Sequence, residues 1–151
     1  MCIHYISIDM AKNIHKSTID HSGGGVYETI DLPRLESVLA HIQNDDYYPT
    51  ITEKITHLFF CVCQFHCFAD GNKRLAITLS AQFLLINGYM RIAKNFFEIT
   101  ENISYHVAAG KISKELLAKI MIAIINETYE TDESLKLEIF SAISDTNTDL
   151  I

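Results

Sequence analysis

The sequence predicts an all-α, mainly helical fold, and three observations carry that prediction. Apolar residues recur three and four positions apart in most segments, the spacing of one helix face. Only two prolines occur in the chain of 151 residues, Pro33 and Pro49, and each lies at or before a helix start. The hydrophobic fraction of 48% suits one compact core rather than extensive disorder.

Ser7 can cap a first helix that runs to about Asp20 and ends at Ser22-Gly23-Gly24-Gly25. The three glycines also suggest a phosphate loop, but no Gly-Lys-Ser/Thr follows them. Asp31 caps a second helix, with Pro33 in its first turn and Leu35, Val38, Leu39 and Ile42 on one face. Asn44 to Pro49 is a polar, aromatic break. A third helix follows, with Ile51, Ile55, Leu58, Phe59, Val62 and Phe65 at helical spacing, and stops near His66. A fourth runs from about Asn72 through Leu75, Leu79, Phe83 and Ile86 to the stop signal Asn87-Gly88.

A short helix begins near Thr100 and ends at Gly110. Ser113 caps another, from Lys114 to about Glu127, and Glu133 to Ile143 offers a last one. Strand signals are sparse, with short extended pieces at Tyr89–Ile92 and Gly25–Ile30. There is no internal repeat.

The formal net charge is -7, which argues against nonspecific nucleic-acid binding. Residues 1–127 hold 11 Lys/Arg against 13 Asp/Glu, while residues 128–151 hold Lys136 against six acids. The chain therefore divides into a core domain, 1–127, and an acidic C-terminal extension, 128–151, with room for one helix. No apolar run is long enough to span a membrane, and no signal peptide is visible, so the expected location is cytoplasmic. Cys2, Cys61, Cys63 and Cys67 do not form a disulfide framework. They read as reduced structural cysteines, against a zinc site with His57 or His66, whose spacing does not bring four ligands to one point.

The chemistry is concentrated in His66-Cys67-Phe68-Ala69-Asp70-Gly71-Asn72-Lys73-Arg74. His66 can take a proton near neutral pH, which a Ser, Thr or Tyr hydroxyl needs before it attacks. Asp70 is a hard oxygen ligand of the kind Mg²⁺ prefers beside phosphates, and it also stands where an N-cap would. Gly71 permits a backbone geometry that other residues resist. Asn72 supplies an amide for the loop or a phosphate. Lys73 and Arg74 put two cations at a helix N-terminus, which already favours an anion. Phe68 reads as a core anchor, and Cys67 and Ala69 as fillers.

This segment resembles the signature H-x-F-x-D-G-N-[GK]-R of the Fic/Doc (Fido) family, and Ile14-His15, Phe83 to Tyr89 and Ala108 to Ser113 resemble its flanking segments. The resemblance spans about residues 1–127. It implies a Fic/Doc-type helical bundle with a small β-hairpin or flap, and Tyr47-Tyr48 stand where the family's target-aligning flap lies. It implies ATP and Mg²⁺, with His66, Asp70 and Arg74 catalytic, Gly71, Asn72, Lys73 and Arg74 on the nucleotide, and Asp70 on the metal.

Two positions resemble the Doc branch. Lys73 replaces the small glycine of the AMP-transferring enzymes, and Ile77 replaces their second arginine. In Doc (death-on-curing) toxins this accompanies transfer of the γ-phosphate to a threonine of elongation factor Tu and pairing with a small antitoxin. Gly71 keeps the Fic-like residue, which leaves AMP transfer as the alternative. A nucleotide- or antitoxin-binding module without turnover is the third reading. Ser134-Leu135-Lys136-Leu137-Glu138 has the spacing of the family's self-inhibitory helix, but its arginine partner is missing at Ile77.

Overall fold

The computed structural model describes residues 2–21, 32–65 and 72–144, without the side chains of 18–21, 65 and 72. Within them lie α1 (Ile8–His21), α2 (Leu32–His41), α3 (Ile51–Phe65), α4 (Asn72–Ile86), α5 (Met90–Ala108), α6 (Lys114–Ile125), a 3₁₀ turn at Tyr129–Thr131, and α7 (Glu133–Ser144). The all-α expectation holds. The expected hairpin or flap is overturned: no strand exists among the described residues.

The error at Tyr89–Ile92 has a physical cause. Four large residues after a glycine read as extended, yet Tyr89 is the N-cap and the other three begin a helix of 19 residues. Ile92, Phe96, Ile99, Ile103 and Val107 follow at spacings of three and four, and this stripe is what α5 lays on the core. The short helix expected near Thr100 is therefore the second half of α5. Gly25–Ile30, the glycine run and the Asp31 cap lie outside the described residues.

α3 is the axis of the bundle and packs against α2, α4, α5 and α6. Lys54 to Phe59 and Cys61 to Cys63 are all buried, so this helix is covered on every side. Phe59 meets Phe96 of α5 edge to face, with centroids 6.2 Å apart. Side-chain caps start four of the helices, α1, α3, α6 and α7. Ser7 Oγ accepts from Met10 N at 3.2 Å, Thr50 Oγ1 from Glu53 N at 3.2 Å, Ser113 Oγ from Leu116 N at 3.1 Å and Asp132 Oδ1 from Leu135 N at 3.0 Å.

Three helices end alike. After α4, Tyr89 N bonds to Leu84 O and Gly88 N to Leu85 O; after α5, Lys111 N bonds to His106 O and Gly110 N to Val107 O. Gly88 and Gly110 adopt φ of 92° and 80°, as this termination requires. After α6, Thr128 N bonds to Ala123 O and Glu127 N to Ile124 O, but the left-handed position holds Glu127 at φ 59°. The Arg91 guanidinium grips the Glu127 carboxylate with two bonds, of 2.9 and 2.6 Å.

The N-terminal segment is anchored at the end of α4. Asn87 Oδ1 accepts from His4 N at 2.8 Å and its Nδ2 donates to His4 O at 2.9 Å. α7 buries Leu135 and Ile139 against the bundle and leaves Leu137 and Phe140 exposed. No described helix is long and apolar enough to cross a membrane.

Candidate functional site

α3 delivers the chain to the candidate site and α4 takes it away. His66, Asp70 and Gly71 lie outside the described residues, as do Cys67, Phe68 and Ala69. Asn72 is the first residue of α4. Lys73 and Arg74 follow on the first turn, both exposed, while Leu75, Ala76 and Ile77 turn into the core. Polar and apolar positions thus part within one turn. The 15-residue α4 carries no acidic residue in that turn, and the N–H groups of a helix start favour an anion.

The Lys73 ammonium lies 6.0 Å from the centroid of the Tyr105 ring, at the end of α5. On the other flank, Gln64 Nε2 donates to Val107 O, two residues further along the same helix. Beneath them, burial pushes the Cys63 thiol up to about 12, although Lys73 pulls it the other way. Cys63 is therefore a protonated core residue at neutral pH, with no nucleophilic character.

A second polar cluster lies further back on α3. His57 is buried, and Lys114 Nζ from α6 donates to its Nδ1 at 2.9 Å. An ammonium cannot accept, so Nδ1 is unprotonated and Nε2 carries the hydrogen, facing Tyr48 Oη at 3.4 Å. The Tyr48 ring sits 4.4 Å from the His57 ring, and His41 of α2 lies 6.2 Å away. Burial, then Lys114, then His41 lower the His57 pKa to about 4. Cys61 shares the His57 face as its helical spacing requires, with Sγ 3.6 Å from the ring nitrogens. Yet no group of three His, Cys, Asp or Glu among the described residues is arranged to hold a metal. Tyr48 is thus packed on α3, and the segment expected as a flap is a run of turns between α2 and α3.

Lys54 was not singled out by the sequence. It is fully buried, and its Nζ donates to Ile42 O and Asp45 Oδ1, each at 2.7 Å. It also lies 5.5 Å from the Tyr5 ring. Burial lowers its pKa, but the Asp45 and Tyr5 contacts outweigh that and raise it, so it stays charged. This one residue clamps the end of α2, the following turn and the N-terminal segment to α3. The only sequence signal for it was a cation beside Ile55, one of the positions on the apolar face of the helix. Gln64 was missed for the same reason.

Neither Lys73 nor Arg74 lines the two cavities that follow. One of about 560 Å³ is apolar, between α1, α4 and α5, lined by Ile14, Leu85, Met90 and Phe97 among others. Another of about 520 Å³ lies between α5 and the end of α6, with Arg91 and Glu127 on its rim.

Comparison with known proteins gives one family. Residues 5–84, just over half of the chain and including the whole His66–Arg74 segment, match the family model described as Fic/DOC family. No curated protein matches the chain.

Proposed function

The chain belongs to the Fic/DOC family, and we propose that it is a Doc-like toxin that transfers the γ-phosphate of ATP to a protein hydroxyl. The carrying observation is the pair of positions after the motif asparagine. Lys73 stands exposed on the first turn of α4 where AMP-transferring relatives have glycine, and Ile77 is buried in the core where they have arginine. A lysine there fills the space an α-phosphate needs beside the attacking hydroxyl. The γ-phosphate takes that place when the nucleotide lies the other way round.

The chemistry follows from the residues. His66 takes the proton of the target hydroxyl as its oxygen attacks the γ-phosphorus. The bond to the β-phosphate oxygen breaks and ADP leaves. Arg74 grips a phosphate through two parallel N–H groups, and Lys73 adds a mobile charge as negative charge develops on the transferring oxygens. Gly71 and Asn72 let the loop approach the nucleotide. The donor set fits Mg-ATP: two exposed cations at a helix N-terminus suit the triphosphate, and the Asp70 carboxylate suits a hard cation. Mg²⁺ would be held by Asp70 and phosphate oxygens and would draw charge off the phosphate chain.

The target, by the family resemblance, is a threonine of elongation factor Tu, whose modification would block translation. We assign residues 1–127 to the catalytic core and 128–151 to an extension. Restraint comes from an antitoxin rather than from this extension. Glu138, where a self-inhibitory glutamate would stand, bonds instead to Lys119 of α6 at 3.1 Å, and Ile77 offers it no charge. Gly71 favours a second reading, transfer of AMP from the same nucleotide. Incubation with Mg-ATP and elongation factor Tu, followed by intact-mass analysis, separates the two. A gain of one phosphate is expected. A gain of AMP overturns the kinase reading and keeps the family chemistry.

A further inference from the structure

We propose that Gln64 is a positioning residue for His66, holding the last turn of α3 in place through its bond to Val107. The proposal rests on the reading of His66 as the base. Gln64 stands two residues before His66, and its side-chain amide donates to Val107 O across 43 positions of sequence. The acceptor is fixed. Val107 is fully buried, and its carbonyl also accepts Gly110 N at 3.0 Å within the α5 terminus. Two lone pairs serve both donors.

The same turn of α5 reaches the other stem of the motif, where the Tyr105 ring faces the Lys73 ammonium. One helix end therefore touches both of the helix ends that residues 66–71 join. The last turn of a helix lacks the hydrogen bonds that hold its interior, so it frays unless something holds it. An amide after Cys61-Val62-Cys63 contributes little to an apolar face, and the Val107 bond gives it a role. That role is reach and geometry: Gln64 ties the last described turn of α3 to the end of α5, two residues before the base.

The test uses the full chain with two substitutions. Gln64→Met keeps the length and removes the donor, and Gln64→Lys keeps a donor of similar reach. Phosphoryl transfer is followed as a function of ATP concentration, and the histidine rings are followed by two-dimensional NMR, with His66 assigned by its loss in His66→Ala. Gln64→Met is expected to lower kcat ~10- to 100-fold, the scale of an ångström of misplacement, with KM for ATP little changed and the His66 ring signals shifted. Gln64→Lys is expected to recover most of that loss. An unchanged kcat with unchanged His66 signals overturns the proposal. So does a fall in kcat that tracks a fall in thermal midpoint and that lysine does not rescue. If the wild-type protein transfers nothing, the proposed function fails, and the His66 signals alone decide for or against Gln64. Should Gln64→Met not fold, Gln64→Glu, of nearly the same shape but without a donor at neutral pH, takes its place.

Discussion

Lys54 and the Lys73-Arg74 pair are cations on consecutive helices, and the fold treats them in opposite ways. Lys54 is fully buried, with a carbonyl and a carboxylate each 2.7 Å from its ammonium. Lys73 and Arg74 stand exposed on the first turn of α4, in a helix whose next three residues are buried. A buried charge must be paired to be tolerated, and once paired it has little left to offer a ligand. An exposed charge at a helix N-terminus adds little to stability and keeps its donors within reach of an anion. The contrast places Lys54 in the fold, and the exposure of the other two is what their proposed phosphate-binding role requires.

The largest expected effect tests the exposed side of that contrast. Arg74→Ala should lower phosphoryl transfer by about 10²- to 10³-fold, the usual cost of losing a donor aimed at developing charge. Its thermal midpoint should stay near wild type, since exposed substitutions change stability by only about 0.5 kcal/mol. Transfer rate and calorimetry on the same preparation check both halves. A large loss of stability would place Arg74 with Lys54 and break the distinction.

How far the sequence could be read follows the same line between local and distant. The motif was legible because its chemistry lies in nine consecutive residues. The caps at Ser7 and Ser113 and the stops at Gly88 and Gly110 were legible because each acts on neighbours three to five positions away. The start of α5 was misread because four residues after Gly88 were judged without the stripe that continues to Val107. The long-range polar contacts of α3 were not legible at all. Gln64 meets Val107 across 43 positions and Lys114 meets His57 across 57, so only the packing of α3 against α5 and α6 creates them. Glu127 is the instructive intermediate. Its left-handed backbone calls for glycine, and nothing in the sequence signals that Arg91, at the start of α5, will pair with its carboxylate.

The second prediction tests the buried side. Lys54→Ala should destabilise the protein by about 2 to 4 kcal/mol, through the lost packing of its stem and an unsatisfied Ile42 carbonyl. Lys54→Met, which keeps the stem, should cost roughly half as much. Asp45 is mostly exposed, so Asp45→Asn should cost about 1 kcal/mol or less. Urea unfolding of the three variants gives the order. If Asp45→Asn were the most harmful, the clamp would be an ion pair rather than a buried donor that satisfies the backbone.

The smallest effect sharpens the contrast, because His57 is buried like Lys54 but kept neutral. Lys114 already points an ammonium at Nδ1, and His41 of α2 and Tyr48 of the preceding turns close the other sides. A proton on His57 would face Lys114 with no acceptor between them. Burial first, and then those neighbours, hold its pKa near about 4 in the folded protein, against 6.5 for an ordinary histidine. The unfolded chain therefore binds the proton more readily between these values. Stability contributed by neutral His57 is fully present above pH of about 6.5 and is lost as pH falls toward about 4. His106 is shifted the same way, by burial and by Lys111, and adds to that slope. Urea unfolding across this range should show falling stability in the wild type and a shallower fall in His57→Gln. Lys114→Met should also flatten the slope, since it removes the charge that opposes the proton while leaving the ring buried. A slope unchanged in both variants would mean that other groups set the acid limit. The α3–α6 contact would then be as indifferent to pH as the Lys54 clamp, whose charge is satisfied rather than suppressed.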